Sequence, residues 1–300
     1  MASFITGTPF LIGLIAFALL FDFLNGLHDS ANSIATVVAT RVLRPFTAVI
    51  WASFFNFIAF AVFGLHVAGT IGHGIIETAI VDPLVIFGAL AGAICWNLVT
   101  WWLGIPSSSS HALIGGLVGA GIAKAGPAAV IWGGLGTVSS AIVLSPVTGL
   151  ILAMALVLAV SWMAVRSTPF AVDHRFRHLQ FISSALLSLA HGGNDAQKTM
   201  GIITILLMSR GLLPGGFHVP LWVVLSCQSA MALGTLCGGW RIVRTMGSRI
   251  THLTPMQGFS AEPGGALAIF GATWLRPCPW SRRPRRRMWR YSSSPAARRT

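Results

Sequence analysis

Asp22-Phe23-Leu24-Asn25-Gly26-Leu27-His28-Asp29-Ser30-Ala31-Asn32-Ser33 lies inside an otherwise apolar run from Pro9 to Thr40, and its reading decides the fold. Asp22, Asn25, Asp29, Asn32 and Ser33 recur at helical spacings, so a helix puts them on one face. Adding 166 to each number gives Ser188, His191, Asp195, Lys198 and Thr199. All five are polar again. Gly26 maps to Gly192 and His28 to Asn194 at the same offset. Ionisable residues in apolar helices are rare and usually functional. A stripe that occurs twice therefore marks an internal repeat around a polar centre.

Composition sets the class. The chain has 300 residues, 54% hydrophobic and 9% charged, against about 25% charged for a soluble domain. Phe46 to Leu65 and Val147 to Val165 are uncharged apolar runs of the length a spanning helix needs, roughly 20 residues. Period-2 alternation is not evident, which argues against a β-barrel. The class is an all-α polytopic membrane protein, embedded in the lipid bilayer of the cell (plasma) membrane. The net charge of +13 comes mostly from the tail, where nine of 20 basic residues lie between Arg276 and Thr300. The rest carries 11 basic and 7 acidic side chains, so nucleic-acid binding is not expected. The four cysteines show no CxxC spacing, so neither a disulfide framework nor a metal site is expected. No basic residue precedes Arg41, so the first apolar run reads as a membrane helix rather than a leader.

Further runs cover Pro83 to Leu103, Ala128 to Leu144, Val147 to Val165, Gln180 to Met208, Val219 to Trp240 and Gly264 to Leu275. Basic loops at Arg41–Arg44, Arg166–Arg177 and Arg241–Arg249 belong in the cytoplasm. Gly104 to Ala125 is Gly-rich and too short to span, so it is expected to enter and leave on one side. Pro106 and Ser107 to Ser110 suit such a re-entrant hairpin, because serine satisfies freed backbone groups. The Ser145-Pro146 break then divides two short spans, with one kinked span as the alternative. Residues 1–165 form the first membrane repeat, with the hairpin around 104–126. Residues 166–179 are a cytoplasmic basic loop, 180–275 a partial second repeat and 276–300 an Arg-rich tail. The two stripes run in opposite directions, which makes the repeat inverted. Such repeats place substrate and ion sites near the midplane and move by alternating access.

The chemistry of the stripes narrows the ligand. A serine run at a helix N-terminus offers hydroxyls, N–H groups and a favourable dipole to an oxyanion. Lys198, one of two lysines, is either a counter-charge for substrate or the ion-pair partner of Asp195. Asp29 and Asp195 suit a coupling cation, H⁺ or Na⁺, and Asn25, Asn32 and Asn194 supply further oxygens. Interhelical hydrogen bonding is the plainer role for the asparagines. His28, His111 and His191 could relay protons. Ser107 to Ser110 beside His111 could also suggest a serine hydrolase, but adjacency alone gives no nucleophile geometry. No catalytic residue is assigned and an enzyme is not expected.

Asn25-Gly26-Leu27-His28-Asp29-Ser30-Ala31-Asn32 and His191-Gly192-Gly193-Asn194-Asp195-Ala196-Gln197-Lys198 resemble the paired signatures of the PiT inorganic phosphate transporters. Leu103-Gly104-Ile105-Pro106-Ser107-Ser108-Ser109-Ser110-His111 resembles that family's hairpin motif, and Gly239-Trp240-Arg241-Ile242-Val243 with Thr245-Met246-Gly247 is similar to another of its segments. The resemblance covers about residues 10 to 275. It implies cation-coupled symport of inorganic phosphate, without a cofactor, with some bacterial members carrying a neutral metal–phosphate complex. It implies substrate contacts at Ser108, Ser109, Ser110, Asn32, Asn194 and Lys198, and coupling-cation contacts at Asp29, Asp195 and Asn25. A homodimer is compatible with it.

One departure stands out. Ala272-Thr273-Trp274-Leu275 resembles the lead-in Thr100-Trp101-Trp102-Leu103, but Arg276-Pro277-Cys278-Pro279-Trp280 follows where the family has a second hairpin motif. The second repeat is expected to be incomplete, with the tail read as a frameshift product rather than a lipid-binding extension. The competing readings are a sulfate or other oxyanion carrier on the same scaffold, and a non-transporting remnant.

Overall fold

The structure, a computed structural model, describes residues 7–62, 75–77, 80–213, 217–250 and 253–274. The segment 63–74, with His66 and His73, and the tail 276–300 lie outside the described residues. The helices are α1 (Thr8–Ala39), α2 (Pro45–Val62), α3 (Pro83–Leu103), α4 (Ser109–Ala125), α5 (Trp132–Ala164), α6 (Pro169–Ser209), α7 (Leu221–Cys237), α8 (Trp240–Arg244) and α9 (Pro255–Trp274). Prolines near the start of α1, α3 and α6 fit helix openings, where a missing N–H costs nothing. The Asp82 side chain caps α3 by accepting from Val85 N at 2.8 Å. Helices α1, α2, α3 and α5 are long and apolar enough to cross a bilayer, and α7 joins Trp240–Gly247 through a 55° bend to make a fifth. At 41 residues, α6 is about 60 Å long, enough to cross and continue into water.

The repeat shows in the packing. α1 lies against α7, and α2 lies against α6. A Cβ at Gly26 would strike the Met231 carbonyl on α7, and one at Gly192 would come within 2.7 Å of the Asn56 backbone on α2. The same glycine, one offset apart, thus seats the stripe helix of each copy on the second helix of the other. Close approach through a small residue is how membrane helices gain packing energy without a hydrophobic drive. Polar locks support the exchange. Asn56 Nδ2 donates to Thr235 Oγ1 at 3.0 Å, and Ser53 Oγ to the Ala232 carbonyl at 2.7 Å. The main apolar core joins Phe21 of α1, Leu90 of α3, Leu113 of α4, Ile203 and Leu206 of α6 and Met231 of α7.

Three expectations are corrected. First, the stretch around Pro146 is one helix, Trp132–Ala164, with the proline inside it. None of its residues is buried, so no neighbour forces a break, and in lipid the backbone must satisfy itself. Pro146 leaves one carbonyl, that of Ile142, without its helical donor, and ending the helix would free several more. Second, the re-entrant element is larger than 104–126, and 83–103 is its first leg rather than a separate span. α3 and α4 pack antiparallel, the Lys124 ammonium pairs with Asp82, and Glu77 N donates to the Ala129 carbonyl at 3.0 Å. Both ends of the hairpin therefore lie together, and its tip stops beside the middle of α1. Third, most of the expected loop 166–179 is helical. α6 starts at Pro169, and Thr168 Oγ1 accepts from Ala171 N at 3.3 Å.

Candidate substrate and ion site

The hairpin tip brings the serine run to the stripes. α3 ends on Gly104, whose φ of 67° is the left-handed cap that turns the chain, a conformation glycine adopts without strain. Arg241 pins the turn, donating from Nη1 to the Trp102 carbonyl at 2.7 Å with its guanidinium 4.6 Å from the Trp102 ring centroid. The chain then runs through Pro106 to Ser108, the half-buried residue that opens α4. The first helical bond of α4 is Ala112 N to Ser108 O, 3.1 Å. The N–H groups of the first turn point out of the helix end.

Three helices meet there. Ser109 is 1% exposed, and its Oγ lies 2.5 Å from Asn25 Oδ1 and 2.6 Å from Asp29 Oδ2. One hydroxyl proton serves both oxygens, so Ser109 ties the hairpin to the first stripe. Ser110 faces the second stripe and accepts from the Lys198 ammonium, which also pairs with Asp195. Asn194 Nδ2 donates to Asp195 Oδ1 at 3.2 Å, and Asn32 Nδ2 to Asp29 Oδ1 at 3.4 Å. Asn32 itself is exposed. His28 spans Asp29 Oδ1 (3.3 Å) and Thr100 Oγ1 of α3 (3.0 Å).

His191 closes the group. Its Nε2 is 3.4 Å from Asp195 Oδ2 and 4.0 Å from Asp29 Oδ2, yet that buried nitrogen makes no aligned hydrogen bond. Asp29, His191 and Asp195 each offer a ligand atom, all within 4.8 Å of one another. Two carboxylates and an imidazole so placed can hold a cation, while Lys198, Ser110 and the α4 N-terminus beside them suit an anion. The structure therefore gathers Asn25, Asp29, Asn32, Ser108, Ser109, Ser110, Asn194, Asp195 and Lys198 around one centre. His111 is exposed and lines a groove with Ile114 of α4 and Val138 of α5 instead.

Sequence reasoning missed a second buried network. Glu262 of α9 is 1% exposed and accepts from Thr36 Oγ1 (2.6 Å), Gln180 Nε2 (3.1 Å) and the Ser183 hydroxyl. Thr40 Oγ1 completes it by donating to Gln180 Oε1 at 2.9 Å. A lone acid within the apolar run ending at Trp274 was the available signal.

An inverted-repeat membrane protein whose two polar stripes meet at the tip of a helical hairpin has the architecture of a carrier. Residues 25–281 match the phosphate transporter family, and the chain belongs to it. It is 68% identical over 267 residues to the probable low-affinity inorganic phosphate transporter of Rhizobium meliloti, covering 89% of this chain and 80% of that protein. It is 44% identical to the protein of the same description from Bacillus subtilis, covering 86% and 78%. The solved structure titled "The sodium-dependent phosphate transporter" shares the fold with a TM-score of 0.80 at 24% identity, over 89% of this chain and 85% of that one.

Proposed function

We propose that the protein carries inorganic phosphate across the plasma membrane by cation-coupled symport, with the two repeats rocking about the hairpin tip. The observation that supports this best is the convergence of Ser109 and Ser110 of one hairpin on Asp29 of α1 and Lys198 of α6. Phosphate would sit between the α4 N-terminus, Ser108, Ser110, Asn32, Asn194 and Lys198. Replacing the Lys198–Ser110 contact by Lys198–phosphate and Ser110–phosphate bonds keeps the ammonium paired in the loaded state. The coupling cation would sit at Asp29 and Asp195 with the Asn25 oxygen, and His191 is close enough to join them. Binding the anion beside the cation offsets the charge of each in a low-dielectric site, which couples their movements. The relatives' description as phosphate transporters supports the choice of anion.

The test is uptake of labelled phosphate into vesicles containing the full chain. Saturable uptake that excess sulfate leaves intact is expected, and it requires a Na⁺ or pH gradient. Uptake abolished by equimolar sulfate would replace the reading with a general oxyanion carrier. Gradient-independent uptake would remove the coupling.

A further inference from the structure

Asp22 is the acid of the two stripes that the site above does not use. It lies two turns from Asp29 on the same face, toward the outer side, and is 0% exposed. Neither of its oxygens has a hydrogen-bond partner among the described residues. The side chains facing it are Thr199 of α6 and Cys227 of α7. The Thr199 hydroxyl is likewise buried without a partner. Two charged groups act on Asp22 from a distance, Asp195 and Lys198 of α6, and Lys198 is already engaged by Asp195 and Ser110. The other packed elements add little. α2 carries no titratable side chain, α3 has only the exposed Cys95, α4 turns His111 toward α5, and Glu262 of α9 bonds Thr36 far along α1.

A fully buried carboxylate that faces only a hydroxyl and a thiol, with no aligned hydrogen bond to either and no cation in contact, is strongly disfavoured as the ion. We infer that Asp22 is held as the acid in this conformation and is the residue that carries a coupling proton. This rests on the proposed function and selects among its cations. The repeat supports it, because the position equivalent to Asp22 is Ser188, so this carboxyl, unlike the Asp29 and Asp195 pair, occurs once. In the outward-open form the carboxylate takes one proton from the outer water. Closure buries the neutral acid, and inward opening returns that proton to the inner water. On the empty return the Thr199 and Cys227 donors and the more distant Lys198 charge are what the carboxylate has to offset it.

The full chain, Asp22→Asn and Asp22→Ser are reconstituted and compared in two assays, with the membrane potential clamped. Counterflow against internal phosphate needs no net proton movement and serves as the reference. A gradient of about one pH unit sustains about a tenfold accumulation when one proton accompanies each anion. Accumulation relative to counterflow should fall about tenfold, to the level without a gradient, in both variants. Infrared spectra of the protein in lipid should show a protonated-carboxyl band that Asp22→Asn removes and Glu262→Gln leaves. Undiminished pH-driven accumulation by Asp22→Asn, or a carboxyl band unchanged by that substitution, overturns the inference. Absent counterflow in the unmodified chain would sink the proposed function instead, and the infrared band would still decide whether Asp22 holds a proton.

Discussion

The two stripes share a scaffold but not a chemistry. α1 and α6 present polar groups at equivalent positions and approach the opposite copy through Gly26 and Gly192. Like faces like at only one ionisable position, Asp29 and Asp195. Elsewhere Asp22 stands against Ser188, Asn25 against His191 and Asn32 against Lys198. Apart from Ser33, the first stripe is acidic and amide-bearing, and the second holds the lysine and an imidazole. The hairpin respects the division, with Ser109 on the first stripe and Ser110 on the second. A two-fold scaffold can exchange two equivalent conformations, but an anion with its cation is not a two-fold ligand. The shared glycines suit the motion, the shared aspartates suit the cation, and the unshared Asn32 and Lys198 suit the anion.

The aspartates give the most severe test of that comparison. Asp29→Asn and Asp195→Asn should each reduce phosphate uptake by roughly 100-fold or more, about 2.7 kcal/mol of lost transition-state stabilisation. Their stabilities should differ. Asp195→Asn strands the buried Lys198 ammonium, which costs about 3–5 kcal/mol. Asp29→Asn weakens the hydrogen bond from Ser109, at about 1–3 kcal/mol. Thermal unfolding in detergent alongside uptake reads both, and equal destabilisation would mean that the stripes are equivalent after all. The glycines should behave in the opposite way. Gly26→Ala and Gly192→Ala each push a Cβ into facing backbone, and each should lose about 1–3 kcal/mol. A large loss at one with none at the other would break the symmetric scaffold.

The repeat was legible because a helix converts spacing directly into a face, and Asp29 and Asp195 stand out against apolar sequence. The tip of the hairpin was legible from Gly104, Pro106 and the serines, since a broken element needs such residues. Its extent was not, because Pro83 to Leu103 has the composition of a full span, and it takes the Lys124–Asp82 and Glu77–Ala129 end contacts to show the leg turning back. Pro146 misled for a related reason. A proline removes one backbone hydrogen bond, but ending the helix in lipid would free several more, so the helix runs through it. The Glu262 network joins residues 36, 40, 180, 183 and 262, a set with no common spacing. The isolation of Asp22 is also a property of packing, since the sequence places it on the stripe beside partners it does not reach.

Smaller effects sharpen the picture at its edges. Lys198→Asn makes the second stripe resemble Asn32 of the first, and it removes the positive charge at Ser110. The KM for phosphate should rise about tenfold, about 1.4 kcal/mol of lost binding, with a smaller change in the limiting rate. A change in rate alone would assign Lys198 to gating rather than binding.

The smallest predicted effect is at the outer end of the hairpin, which has no described counterpart in the second repeat. Burial alone would raise the Asp82 carboxyl. The Lys124 ammonium and the N–H groups of Val85 and Leu84 outweigh this and hold it below the ordinary carboxylate value. A lowered folded value means that the stabilisation is complete above about pH 4 and fades as the pH falls through the folded value. Both side chains are 38% exposed, so solvent and salt limit the pair to about 0–1 kcal/mol. Asp82→Asn also loses the charged cap of α3, so a drop in Tm of a few degrees is expected at pH 7, shrinking at pH 3. Phosphate uptake should persist, because the tip, not the base, meets the stripes. A loss of uptake matching that of Asp29→Asn would show that the hairpin base belongs to the moving machinery, and the division between a structural outer end and a working tip would fail.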